Sequence, residues 1–273
     1  MNDSKWKKLA EDNTILRCVV GSTAYGLNLT ESGDRDEVGV CLEPLEALLG
    51  FHEFEQFEFR TATERTGIKD AKSEAGDLDL KIYSLKKFLR LALQGNPSVI
   101  ELFFTKSYVK VDALGHQLQE LYPQVVSRQC GKRFLGYMEA QRQRLLGEVG
   151  QKKVNRPELE EKHGYDTKYA MHILRLGMQG VELLETGKIS LPFEGEKRDY
   201  LLGVRKGLVP INDVLGRAGD LERRLKDLLD DSPLSEHPNE ALVEDWMITR
   251  YWNWWKALRF QSDHNLLSEF KVQ

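Results

Sequence analysis

The chain has 273 residues, 41% apolar and 30% charged, which fits a folded protein with a hydrophobic core and excludes a disordered chain. Its formal net charge of −4 excludes a protein that coats nucleic acid through bulk positive charge, while leaving room for a local basic face. Its three cysteines, Cys18, Cys41 and Cys130, are widely separated, form no zinc-ligand pattern and suit a reducing compartment.

In chain order, the lysine-rich segment Met1–Glu11 lacks the apolar stretch of a signal peptide. No later apolar run reaches the length of a membrane span, so a cytoplasmic protein without membrane partners is expected. Ile15–Val20 is short, apolar and β-branched and ends in Gly21-Ser22, the pattern of a buried strand and a turn. Val38–Leu42 predicts a second strand, ended by Pro44, and Leu45–Leu49 a short helix or turn. Phe54, Phe57 and Phe59 alternate with polar residues as an extra strand would, and polar Thr61–Gly76 reads as a loop and candidate flap.

In Asp77–Tyr83, Leu78, Leu80 and Ile82 share one face and Asp77, Asp79, Lys81 and Tyr83 the other, predicting a strand buried on one side. Ser84 caps a predicted helix over Leu85–Gln94, which Gly95-Asn96-Pro97 stops, and an apolar helix over Val99–Phe104 follows. Beyond about Tyr108 the periodicity is helical, over Arg133–Glu148, Asp166–Glu185, Leu221–Leu229 and Glu240–Leu258, with Gly150–Gly164 as a charged connector. The aromatic stretch Trp246–Trp255 has the spacing of core packing more than of base stacking. The expected plan is α+β: an α/β domain over 1–106 and a helical domain over 107–273.

The chemistry gathers in Val20–Val40, VGSTAYGLNLTESGDRDEVGV. A lone Gly-Ser is usually a turn and a lone Asp-x-Asp usually a strand edge, so specificity comes from the combination. Two aspartates at i and i+2 on a strand, Asp34 and Asp36, point the same way, roughly 6.5–7 Å apart. That spacing suits a pair of Mg²⁺ ions about 3.5–4 Å apart, which want hard oxygen ligands. Asp79 on the third strand can complete the site and help remove an acceptor proton. Asp77 shares its face and stays an alternative third carboxylate. Gly21 lets the backbone approach a phosphate, and the amide and hydroxyl of Ser22 can bind it, helped by a helix beginning near Thr23.

G-S-x-x-x-G followed by D-x-D resembles the signature of the DNA polymerase β-like nucleotidyltransferase superfamily. More narrowly, 21–40, 77–104 (DLDLKIYSLKKFLRLALQGNPSVIELFF) and 162–189 (KHGYDTKYAMHILRLGMQGVELLETGKI) resemble a predicted nucleotidyltransferase family that includes RNA-ligase-associated members. The resemblance spans nearly the whole chain. It implies a small mixed sheet with flanking helices plus a helical domain. It also implies Asp34, Asp36 and Asp79 as catalytic metal ligands, and Gly21 and Ser22 as nucleotide contacts. Many superfamily members place Ser directly before the first Asp, whereas here Ser32-Gly33 precedes Asp34.

In the helical half, Asp166 is placed to cap a helix on which Lys168, His172 and Arg175 form one polar stripe beside apolar Met171, Leu174 and Met178. Alone, such a stripe is usually solvated. The resemblance in this segment favours a grip on the phosphates of an NTP. The expected activity is transfer of a nucleoside monophosphate from an NTP, ATP foremost, to an acceptor hydroxyl. Mg²⁺ is the expected cofactor, with Mn²⁺ as alternative. RNA or a tRNA end is a candidate acceptor. The rival readings are a non-catalytic nucleotide- or RNA-binding module and a protein-modifying toxin–antitoxin partner.

Overall fold

The computed structural model describes residues 3–29, 33–69, 71–147 and 156–269, the stretch 259–269 as helix backbone alone. Ser32 and the connector residues 148–155 lie outside the described residues. Helix α1 (Asp3–Asp12) leads into strand β1 (Thr14–Val19), a short helix α2 (Gly21–Tyr25) and strand β2 (Arg35–Cys41). Helix α3 (Leu45–Leu49), strand β3 (Gln56–Arg60), helix α4 (Thr61–Thr66) and strand β4 (Leu78–Ser84) follow. The five-stranded sheet runs β3-β4-β2-β1-β5, where β5 is Tyr108–Val111; β2 and β4 are parallel and the other pairs antiparallel.

Between β4 and β5 lie α5 (Leu85–Leu93), α6 (Pro97–Ile100) and a 3-10 turn (Glu101–Phe103). Ser84 caps α5 through the amide of Lys87. Beyond the sheet come α7 (Ala113–Glu120), α8 (Tyr122–Val125), α9 (Arg128–Leu146), α10 (Pro157–His163), α11 (Thr167–Thr186), α12 (Gly195–Arg205), α13 (Ile211–Asp231) and α14 (Glu240–Glu269). No helix among the described residues is long and apolar enough to cross a membrane.

The sheet's alternation divides the core. Leu80, Ile82 and Cys41 point to one face, against Ala10 of α1 and Phe54, with Trp6 and Phe57 at its margin. Leu16, Cys18 and Val40 point to the other, where the cluster continues through Phe88 and Leu102 into Phe134 of α9, Leu174 of α11 and Leu225 of α13. Each such side chain, fully removed from water, contributes about 1.5–3 kcal/mol before the cost of chain ordering. Helix α11 is buried along most of its length, and Gly177 and Gly180 let it approach α9 and α13 so closely that an added Cβ would lie 2.8 Å from Met138 and 2.9 Å from Phe134.

Several elements differ from expectation for local reasons. The polar segment after Arg60 begins as a helix rather than a loop; it buries only Ala62, so it carries no readable period. Helix α12 buries only Leu201 and Val204, and β5 is a largely exposed edge strand, so neither announces itself in the sequence. Helix α13 starts ten residues earlier than Leu221, because Val214 and Ala218 continue the stripe of Leu221, Leu225 and Leu228.

Candidate active site

The parallel register of β2 and β4 sets Asp36 directly beside Asp79, on the sheet face that the helical half covers. Asp34 stands just before β2, two residues from Asp36. Burial, then the charges of Asp34 and Asp79, push the Asp36 carboxyl up to about 6, with Lys168 and Arg60 pulling the other way. Gly21 presses its backbone on this carboxylate: at φ +69° a Cβ there would sit 2.5 Å from Asp36 Oδ2. The Val20 amide donates to the Asp36 carbonyl at 2.9 Å, so the turn carrying Ser22 is tied to the strand carrying the carboxylate.

The alternative third carboxylate is engaged elsewhere. Asp77 is buried, and its Oδ2 accepts from Arg65 at 3.0 Å and from the Glu74 amide at 2.8 Å, which closes the loop before β4. Asp79 has its own partners, which the sequence did not reveal. Arg60 Nε donates to Oδ2 at 3.0 Å, and Ser73 Oγ reaches both oxygens at 3.1 and 3.2 Å. Arg60 is the cross-strand neighbour of Asp79 in the β3–β4 ladder, a pairing visible only once the register is known.

The donor chemistry of Asp34, Asp36 and Asp79 fits a hard divalent cation, since carboxylates supply hard oxygen ligands and the charges of Asp34 and Asp79 add to burial in raising Asp36. Among the described residues, however, no three such groups are drawn together as a ready metal cage. The positive charge of Arg60 lies against Asp79 Oδ2 instead, where it competes with any cation for that oxygen.

From the helical half, Asp166 caps α11 as expected, accepting from the amides of Lys168 at 2.9 Å and Tyr169 at 3.1 Å. Lys168 faces the site closely enough for Asp34 and Asp36 to act on its charge. His172 and Arg175 sit deeper than Lys168 and contact each other. Burial, then Arg175, Lys168 and Arg156, pull His172 down to about 3, so its ring is neutral and accepts or shares the Arg175 Nη2 contact at 2.9 Å. Arg175 is only 5% exposed. It donates to Gln179 at 2.6 Å, lies 3.6 Å from Glu101 Oε2 and covers the Tyr25 ring at 4.3 Å. Tyr25 in turn donates to Glu101 at 2.7 Å. The guanidinium is thus held by a carboxylate, an amide and an aromatic face of the protein itself.

A cavity of about 960 Å³ lies away from the carboxylates, against Phe103, Phe104, Tyr122 and Lys188. Phe193 on its wall donates its amide to the Tyr25 carbonyl at 3.1 Å.

A family model described as RlaP, the RNA repair pathway DNA polymerase beta family, matches residues 3–247. The chain belongs to this family. The RNA repair pathway polymerase beta family places it among polymerase β-like nucleotidyltransferases, and the mixed sheet with flanking helices is consistent with that fold. No curated protein matches the chain. Among solved structures, a nucleotidyltransferase-like protein from Exiguobacterium sibiricum aligns over 84% of this chain and 74% of its own, with 11% identity and a TM-score of 0.28, too low to support structural inference. The positions of Asp36 and Asp79 come from the chain's own sheet, with Asp34 just before β2.

Proposed function

We propose that this protein transfers a nucleoside monophosphate from an NTP, ATP foremost, to an acceptor hydroxyl on RNA and releases pyrophosphate. The observation that carries the reading is the side-by-side register of Asp36 and Asp79 on parallel strands, with the Gly21 backbone packed on the Asp36 carboxylate. Asp34, Asp36 and Asp79 would hold Mg²⁺, or Mn²⁺ in its place, which supplies positive charge to the attacking and leaving oxygens.

In this reading Gly21 and Ser22 bind the phosphates through backbone amide and hydroxyl, and Lys168 faces them from α11. Asp79 accepts the proton of the acceptor hydroxyl. That oxygen bonds to the α-phosphorus as the bond to the pyrophosphate oxygen breaks, in line with it. His172 and Arg175 act from behind: the neutral ring contacts Arg175, and Arg175 fixes Tyr25 at the end of the helix that begins with the phosphate turn. The proposed division follows, with 1–106 carrying carboxylates and phosphate turn and 107–273 the facing cation. RNA is preferred as acceptor because the family is named for RNA repair.

The test uses α-³²P-labelled NTPs with Mg²⁺ and separate RNA, tRNA and protein acceptors. Label passing to RNA with pyrophosphate release, lost in Asp36→Asn, is the expected result. Nucleotide binding without release on every acceptor would favour a binding module, and label on protein alone would favour a protein-modifying enzyme.

A further inference from the structure

A second group of charges gathers around the start of α11. Arg156, just before α10, pairs with Asp166 Oδ2 at 3.0 Å, and its guanidinium lies 5.3 Å from the Tyr169 ring centre. Arg205, in the last turn of α12, donates to the hydroxyl of Thr167 at 3.2 Å. Lys168 follows Thr167 directly on α11, and each of these cations acts electrostatically on another of the set. All three are partly withdrawn from water.

Beside these cations the Asp166 carboxylate is already engaged, its Oδ1 accepting two helix amides and its Oδ2 accepting Arg156, while Asp34 and Asp36 act on Lys168 from the carboxylate side. Neither Lys168 nor Arg205 has an ion pair with a carboxylate among the described residues. Half-buried like charges that repel one another are unfavourable unless an anion joins them. The amide end of the twenty-residue helix α11 adds positive potential at the same place. Asp34 and Asp36 act on Lys168, which ties this group of cations to the proposed reaction centre.

We infer that Arg156, Lys168 and Arg205 form the receptor for the terminal phosphates of the nucleoside triphosphate, with Arg156 and Arg205 as binding residues beyond those the sequence pointed to. The inference rests on the proposed nucleotidyl transfer and deepens it. The carboxylate side takes the α-phosphate and the cation side takes the β–γ end. A triphosphate spans both, while a monophosphate reaches only one.

The test is calorimetric titration of the full chain with tripolyphosphate, ATP and AMP in Mg²⁺. Arg205→Gln and Arg156→Gln are each expected to weaken tripolyphosphate and ATP about tenfold, the loss of one charge-assisted contact. AMP affinity is expected to stay unchanged, and Arg205→Lys to keep most of the binding. Removing a repelled cation is also expected to leave Tm of Arg205→Gln unchanged or higher, whereas a purely structural role would lower it. Tripolyphosphate affinity unaffected in both Gln variants, or a loss shared equally by AMP, overturns the inference. Failure of catalysis reads differently: tripolyphosphate held through Arg205 with no pyrophosphate release on any acceptor keeps the receptor and rejects the transferase reading.

Discussion

The guanidinium of Arg175 lies 4.3 Å from the centre of the Tyr25 ring and 3.6 Å from Glu101, which Tyr25 also contacts. This buried group joins α11 to the helix that starts at the phosphate turn. Arg175→Met leaves the Glu101 carboxylate buried without its cation and is expected to cost about 3 kcal/mol, at the low end for a broken buried pair. Urea denaturation checks it. The double variant Glu101→Gln with Arg175→Met is expected to lose clearly less than the sum of the single losses; strict additivity would show that the two groups do not act together.

Gly21→Ala tests the close approach at the turn. The residue needs φ +69° and its new Cβ would meet Asp36 Oδ2 at 2.5 Å. The strained backbone should cost about 1 kcal/mol of stability. Displacement of the carboxylate should lower kcat/KM for pyrophosphate release by at least about tenfold, one 1.4 kcal/mol step in the barrier. Melting curves and kinetics on the same sample separate the two effects. Unchanged kcat/KM would mean that the turn is not part of the site.

Asp36→Asn addresses metal removal. In EDTA the variant relieves repulsion from Asp34 and Asp79, so its Tm should equal or exceed that of the wild type. Adding Mg²⁺ should raise the wild-type Tm, with about 2.7 kcal/mol of stabilisation at about a hundred times Kd, and leave the variant unmoved. Equal Mg²⁺ responses in the two proteins would remove Asp36 from the metal site.

Arg60→Gln tests the contact at 3.0 Å that engages Asp79. The pair is partly exposed and worth up to about 1 kcal/mol, so its loss should strengthen Mn²⁺ binding about two- to fivefold. Titration followed by electron paramagnetic resonance reads this directly. Weaker binding in the variant would mean that Arg60 supports the site instead of competing for it.

The acid limb of stability should report His172. Its folded value falls from 6.5 to about 3 through burial and the charges of Arg175, Lys168 and Arg156. Above pH 6.5 the ring is neutral in both states. Below it, the unfolded chain binds a proton that the folded one refuses, so stability falls by up to about 1.4 kcal/mol per pH unit until about pH 3. His172→Gln removes this proton, so between about pH 6 and about pH 4 the variant should lose less stability than the wild type. Parallel profiles in chemical denaturation would place the ring in water.

The sequence by itself determined the strand-turn-strand frame, the amphipathic β4, the Ser84 and Asp166 caps and the long α11. These follow from periods of two and 3.6 and from capping chemistry, which act over a few neighbouring residues. Even Asp79 on the face of Asp77 was legible, because alternation along one strand is local. Which of the two stands beside Asp36 was settled by the register of β2 against β4.

Only the tertiary structure decided what each charge faces. The β3–β4 ladder sets Arg60 on Asp79; the packing of α11 against α2 and the 3-10 turn buries Arg175 between Glu101 and Tyr25; the weakly patterned α12 carries Arg205 to Thr167. Lys168, His172 and Arg175 look alike as one polar stripe. Their environments separate them, because a side chain's charge and freedom depend on burial and on partners brought from distant segments, which no local period encodes.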